Sequence, residues 1–174
     1  MTTITTYYAE QNRRLHESNP AYGTSGQKWA EKVYELACTL RTRDVLDYGC
    51  GKETLKQRIP FVRGYDPAIE GLDAPPEPAE LVICTDVLEH IEPECLGALL
   101  DELQRVTLRT LFMTVATGPA KKFLPDGRNA HLIQEGQAWW LPKIMARFYI
   151  RTLADLGHEI VLTADAFSPQ SGGQ

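Results

Sequence analysis

The sequence has no long apolar run, no excess of positive charge and no paired-cysteine motif. No stretch approaches the ~20 apolar residues that a membrane-spanning helix needs. The opening residues Met1-Thr2-Thr3-Ile4-Thr5 lack the basic and then apolar pattern of a signal peptide. Eighteen Lys and Arg stand against 23 Asp and Glu, a net charge of −5. That balance disfavours duplex nucleic acid and anionic membrane as partners. The four cysteines, at 38, 50, 84 and 95, show no C-x-x-C spacing. This excludes a disulfide framework or a cysteine zinc site; no metal site is expected, and the chain reads as cytoplasmic. Internal repeats and low-complexity blocks are missing too.

What remains is ordinary for one globular domain: 174 residues, 43% hydrophobic and 24% charged. Residues 1–23 are polar with scattered aromatics (Tyr7, Tyr8, Tyr22) and read as an N-terminal arm or lid. Residues 24–166 form the main domain, and 167–174 a flexible tail. Thr24 and Gln27 fit a capping box opening a helix whose buried face carries Trp29, Val33, Leu36, Ala37 and Leu40. Strands are expected at 45–48, 61–65, 81–84 and 110–116, with two late ones near 149–153 and 159–163 that can pair antiparallel. Helices are expected at 54–58, with Pro93 in the first turn of the next along Leu96, Leu99, Leu100, Leu103 and Val106, and from Pro142 onward. Residues 67–79 hold four prolines (Pro67, Pro75, Pro76, Pro78), so any strand there is stunted.

Strands alternating with helices predict an α/β fold, a doubly wound and mostly parallel sheet with an antiparallel last strand. Ligands on such sheets bind at the carboxyl ends of the strands. Here those ends carry 47–51, Asp66, 85–90 and the long aperiodic loop from Thr117 to about Glu135. The run Val45-Leu46-Asp47-Tyr48-Gly49-Cys50-Gly51 delivers an acid into a Gly-x-Gly turn. Glycines let backbone approach a ligand, and a helix start beyond them favours anionic groups. Asp66 ends the next strand nineteen residues after Asp47, where nucleoside-binding α/β units place an acid for ribose hydroxyls. The dinucleotide pattern Gly-x-Gly-x-x-Gly would need glycine at position 54, where Thr54 stands, which disfavours a nicotinamide oxidoreductase.

Three segments, Val45 to Gly51, then Gly64-Tyr65-Asp66, then Leu81 to His90, resemble the successive motifs of class I S-adenosylmethionine-dependent methyltransferases. The likeness covers about residues 25–116, and the stretch 124–140 resembles a variant of small bacterial and phage members. It implies a seven-stranded Rossmann-like sheet and S-adenosylmethionine as cofactor. Gly49 and Gly51, with Cys50 between them, would let the loop pass the methionine part, and Asp47 would hold that loop or reach the cofactor amino group. Asp66, followed by Pro67, would accept both ribose hydroxyls, Asp73 would meet the adenine amino group, and the backbone at Cys84 and Thr85, next to Asp86, would meet the methionine ammonium. The family pattern continues to a third glycine where this chain has Glu53.

Each residue also has a plainer reading. The glycines suit any tight turn, and Asp66 suits an Asp-Pro turn. His131 is the first candidate general base, with His90 and Asp126 behind it; the plain alternatives are a loop-pinning histidine and a packed one. Lys121, Lys122 and Arg128 either draw an anionic acceptor or form a solvated face. The implied reaction is methyl transfer to an oxygen or nitrogen of a small-molecule, glycan or nucleotide-type acceptor. The alternative is a non-catalytic S-adenosylmethionine-binding or scaffold protein of the same fold.

Overall fold

The computed structural model describes residues 2–167, and the segment 168–174, most of the expected tail, lies outside them. The chain runs α1 (Thr6–Ser18), α2 (Ala30–Leu40), β1 (Val45–Tyr48), α3 (Thr54–Arg58), β2 (Val62–Tyr65), β3 (Ala79–Thr85), α4 (Leu96–Val106), β4 (Thr107–Ala116), α5 (Gln137–Met145), β5 (Phe148–Asp155) and β6 (Glu159–Ala166). The strands form one sheet in the order β2-β1-β3-β4-β6-β5. β1 pairs parallel with β2 and β3, and β3 with β4; β6 runs antiparallel to both β4 and β5. The expected α/β class, doubly wound with an antiparallel last strand, is what folds.

Side-chain alternation explains why the central strands read as unbroken apolar runs. On β3, Val82 and Cys84 join the core beneath α4 and α5, while Leu81 and Ile83 join the one beneath α2 and α3. A strand covered on both faces has no polar side to show. α4 buries Leu96, Leu99, Leu100, Leu103 and Val106 along one stripe, as the spacing predicts.

Four details depart from expectation. The described residues form six strands rather than seven, because the proline-bearing stretch between β2 and β3 makes none. Thr24 caps nothing: its hydroxyl donates to Ala21 O at 3.3 Å, and a 3-10 turn, Ser25–Trp29, precedes α2. Gln27 N–H instead donates to Thr54 Oγ1 at 3.2 Å, which pins that turn to α3. Pro93 lies ahead of α4, and α5 starts five residues before Pro142. Buried Trp140 and Ile144 hold α5 through the missing proline N–H.

α1 is held by a cap the sequence reading missed. Thr5 Oγ1 accepts Tyr8 N–H at 3.1 Å, and Thr5 donates its own N–H and O–H to Glu92 at 2.9 and 2.8 Å. Tyr8, Leu15 and Tyr22 pack with Leu124 of the long loop. Arm and loop therefore share one small core over the carboxyl edge of the sheet. No described helix is long and apolar enough to cross a membrane.

Candidate functional site

The chain steps from β1 out to β2, then crosses back to β3 on the other side of β1. A crevice opens at such a reversal, beyond the strand ends. The β1 loop is folded tightly there. Gly49 (φ 79°) and Gly51 (φ 52°) occupy the left-handed region, and Gly49 and Cys50 both donate N–H to Tyr65 O. A Cβ on Gly49 would overlap Val87, and one on Gly51 would lie 2.6 Å from Gly23 O. Glu53 also sits at positive φ (53°), and its carboxylate turns outward to Lys56 at 2.6 Å.

Asp66 is 7% exposed and joins the ends of β1 and β2. One carboxylate oxygen accepts Gly51 N–H at 3.0 Å and the other accepts Ala68 N–H at 3.0 Å. Each oxygen keeps a second lone pair. Asp47 is buried below; burial first, then the charges of Asp66 and Glu53, raise its pKa to about 7.

Beyond β3, Asp86 adopts φ 61° and donates its N–H to Thr114 Oγ1 at 3.2 Å. His90 follows one turn later. Its Nδ1 lies 2.7 Å from Ala130 O, and the Nδ1 of His131 lies 2.6 Å from Gly118 O. A carbonyl only accepts, so each Nδ1 carries hydrogen, and Nε2 is the ring nitrogen each histidine has left to offer. The rings meet edge to face with centroids 4.8 Å apart. Burial above all lowers the pKa of His90 to about 4. Asn129 sets the loop: it exchanges two hydrogen bonds with the Ala120 backbone and accepts His131 N–H at 2.9 Å.

Beneath the histidines lies Glu89, 0% exposed. Its Oε1 accepts Ala116 N–H at 2.7 Å, while Oε2 is buried with no partner. Burial, then the neighbouring Asp86 charge, pushes its pKa well above the usual carboxylate range.

Beside a cavity of about 430 Å³, lined by His16, Gly51, Glu53 and Ala68 outside the glycine loop, two cavities that share a rim occupy this edge. The narrower, about 80 Å³, is lined by Gly49, Gly51, Asp66 and Pro67 below and by the arm residues Tyr8 and His16 above. The wider, about 750 Å³, is bounded by His131, Thr117, Gly118, Lys121 and Lys122. Tyr22, Asp86 and His90 line both. Of the expected site residues, Asp47, Cys50 and Thr85 are buried at the strand ends but line neither cavity. Asp73 and Asp126 are not brought there. Asp73 is exposed and accepts Gly71 N–H at 3.2 Å; Asp126 pairs with Arg128 at 2.7 Å. The sequence reading missed His16 and the loop-setting part of Asn129, for neither stands in a motif.

Similarity to solved structures follows this geometry. A 1,6-didemethyltoxoflavin-N1-methyltransferase from Burkholderia thailandensis, bound to S-adenosylhomocysteine, superposes with TM-score 0.67 at 14% identity, over 93% of this chain and 90% of that one. A magnesium protoporphyrin IX methyltransferase from Synechocystis PCC 6803 gives 0.58 at 19% identity, over 81% and 83%. The 16S rRNA methylase RmtB gives 0.56 at 18% identity, over 94% and 76%. The chain has the class I methyltransferase fold. No family model and no curated protein matches its sequence. Within the methyltransferase fold the first cavity sits at the switch between β1 and β3, and the second opens beyond β4. The acceptors named for the three neighbours differ widely, so the fold by itself assigns none here.

Proposed function

We propose that the protein is an S-adenosylmethionine-dependent methyltransferase acting on an oxygen or nitrogen of a small-molecule, glycan or nucleotide-type acceptor in the cytoplasm. The observation that carries this is the shared rim: Tyr22, Asp86 and His90 border both cavities. Methyl transfer needs two ligands meeting at one point, and a rim common to two cavities supports that reading.

The residues fit the cofactor. Tyr8 and His16 line the first cavity, and their Oη and Nδ1 are buried without partners, as atoms awaiting a polar ligand are. Asp66 retains lone pairs for a vicinal diol. When bound, the sulfonium supplies an already activated methyl group. The protein's own part is placement: Asp66, Gly49 and Gly51 hold the nucleoside end, the arm excludes water, and His90 and His131 face the acceptor's proton.

A second reading keeps the fold without the chemistry. It draws on Asp66, whose oxygens already accept Gly51 and Ala68 N–H, and on the narrowness of the first cavity under the arm. Thermal melts with S-adenosylhomocysteine, followed by a labelled-methyl screen over hydroxyl and amine acceptors, separate the two. A raised melting temperature with transfer supports the enzyme; a raised temperature with no transfer supports the second reading; no shift at all removes both.

A further inference from the structure

We propose that Asp86, His90 and His131 hold a divalent transition-metal ion, of the Mn²⁺, Fe²⁺ or Zn²⁺ class, at the seam of the two cavities. One ligand atom from each of the three lies within 4.8 Å of the others. His90 Nε2 and Asp86 Oδ1 are 4.0 Å apart. Two neighbouring ligands of one ion at about 2.1 Å are separated by roughly 3.0–3.4 Å in octahedral or tetrahedral geometry, so the cluster must tighten by about 1–2 Å on binding. The Asp86 side chain, 46% exposed, is free to make that adjustment.

Two further observations point to a cation. First, both imidazoles donate Nδ1–H to backbone carbonyls, Ala130 O and Gly118 O. That arrangement fixes the tautomer and ring of a metal-ligating histidine and leaves Nε2 for the ion. Second, Glu89, between Asp86 and His90 in the chain, keeps its Oε2 buried without a hydrogen-bond partner. A buried acceptor oxygen beside that cluster is a further polar group facing the seam. Lys122 borders the wider cavity, but its Nζ is engaged by Ala21 O at 2.8 Å, over the Tyr22 ring.

Two imidazoles and one carboxylate suit borderline divalent ions and leave coordination positions open. Those positions face the wider cavity, where Thr117, Lys121 and Lys122 admit a polar or anionic acceptor. The site stands on three side chains; its use rests on the methyl-transfer reading. An acceptor hydroxyl bound to the ion loses its proton to water more readily. The oxygen then takes the methyl from the sulfonium, which leaves as a neutral thioether. His131 acts here through the ion rather than as a free base.

The test uses the full chain, stripped with chelator and titrated with Mn²⁺ by calorimetry and electron paramagnetic resonance. One ion per chain is expected, with spin-echo modulation from two imidazole nitrogens. Asp86→Asn, at a half-exposed position that spares the fold, and His131→Ala should each weaken binding roughly 10-fold to 100-fold or more. No stoichiometric binding, no nitrogen modulation, or unchanged affinity in both variants overturns the site. S-adenosylhomocysteine stabilisation is measured in parallel. Ion binding without it keeps this site and removes the methyl-transfer reading; stabilisation without ion binding does the reverse.

Discussion

Gly51 N–H donates to Asp66 Oδ2 at 3.0 Å, tying the glycine loop after β1 to the end of β2. The carboxylate is therefore pre-positioned by backbone that the glycines alone can supply. Asp66→Ala removes the acceptor for Gly51 and Ala68 and the partner for a ribose diol. A hydrogen bond to a charged group contributes about 1.5–3 kcal/mol, so S-adenosylhomocysteine affinity should fall roughly 10-fold to 100-fold by calorimetry. Unchanged affinity would place the nucleoside elsewhere. Thermal melts of the free variant report the structural part separately.

Much of this edge was legible because the residues involved act locally. Gly-x-Gly after an apolar run forces a turn, and Asp66 in register with Asp47 follows from one β-α-β step. The buried alternation of β3 and the stripe of α4 are periodic signals of the same kind. What stayed hidden depends on distant partners. His90 and His131 are 41 residues apart, and only the return of the loop, with Ile133 on Glu89 and Ala130 on His90, brings them together. Thr24 carries the letters of a capping box, yet Thr54 from α3 takes the bond. Pro142 suggests a helix start, but the burial of Trp140 extends α5 past it.

Glu53 stands at φ 53° with its carboxylate on Lys56, and it borders the outer cavity rather than the two that share Tyr22, Asp86 and His90. A non-glycine residue in the left-handed region costs about 1–2 kcal/mol, and an exposed ion pair returns about 0–1. Glu53→Gly should leave the fold equally or more stable, and S-adenosylhomocysteine bound at least as tightly. A clear loss of affinity in calorimetry would make Glu53 a ligand.

Asp47 gives the stability a definite pH dependence. Its folded pKa, about 7, lies above the unfolded value near 3.8. Between those values the native chain holds a proton that the unfolded chain has lost, so stability falls as pH rises from about 4 to 7 and levels above that. Glu89, also raised, acts in the same direction. His90 opposes them: with its folded pKa lowered from 6.5 to about 4, its share of stability grows as pH rises across that interval. Asp47→Asn isolates the first contribution. Urea melts from pH 5 to 8 should show a flatter profile in the variant, by on the order of 1 kcal/mol per pH unit below 7. Parallel profiles would mean that Asp47 is ionised in the native state throughout.

His131 reaches the wider cavity from a loop clamped by Asn129, while Asp66 and the glycine turn lie on the other side of the shared rim. Removing its imidazole should separate binding from chemistry. In His131→Ala the S-adenosylhomocysteine-induced rise in melting temperature is expected to persist. Transfer of labelled methyl to the acceptor should drop by about 10²-fold or more, the usual contribution of a group that manages a proton in the transition state. The defect should appear in kcat and leave the KM for the methyl donor near its wild-type value, because the donor rests on Asp66 and the β1 loop. A wild-type kcat in this variant would take His131 out of the reaction, and a lost melting shift would mean that the loop at 117–135 helps to hold the donor.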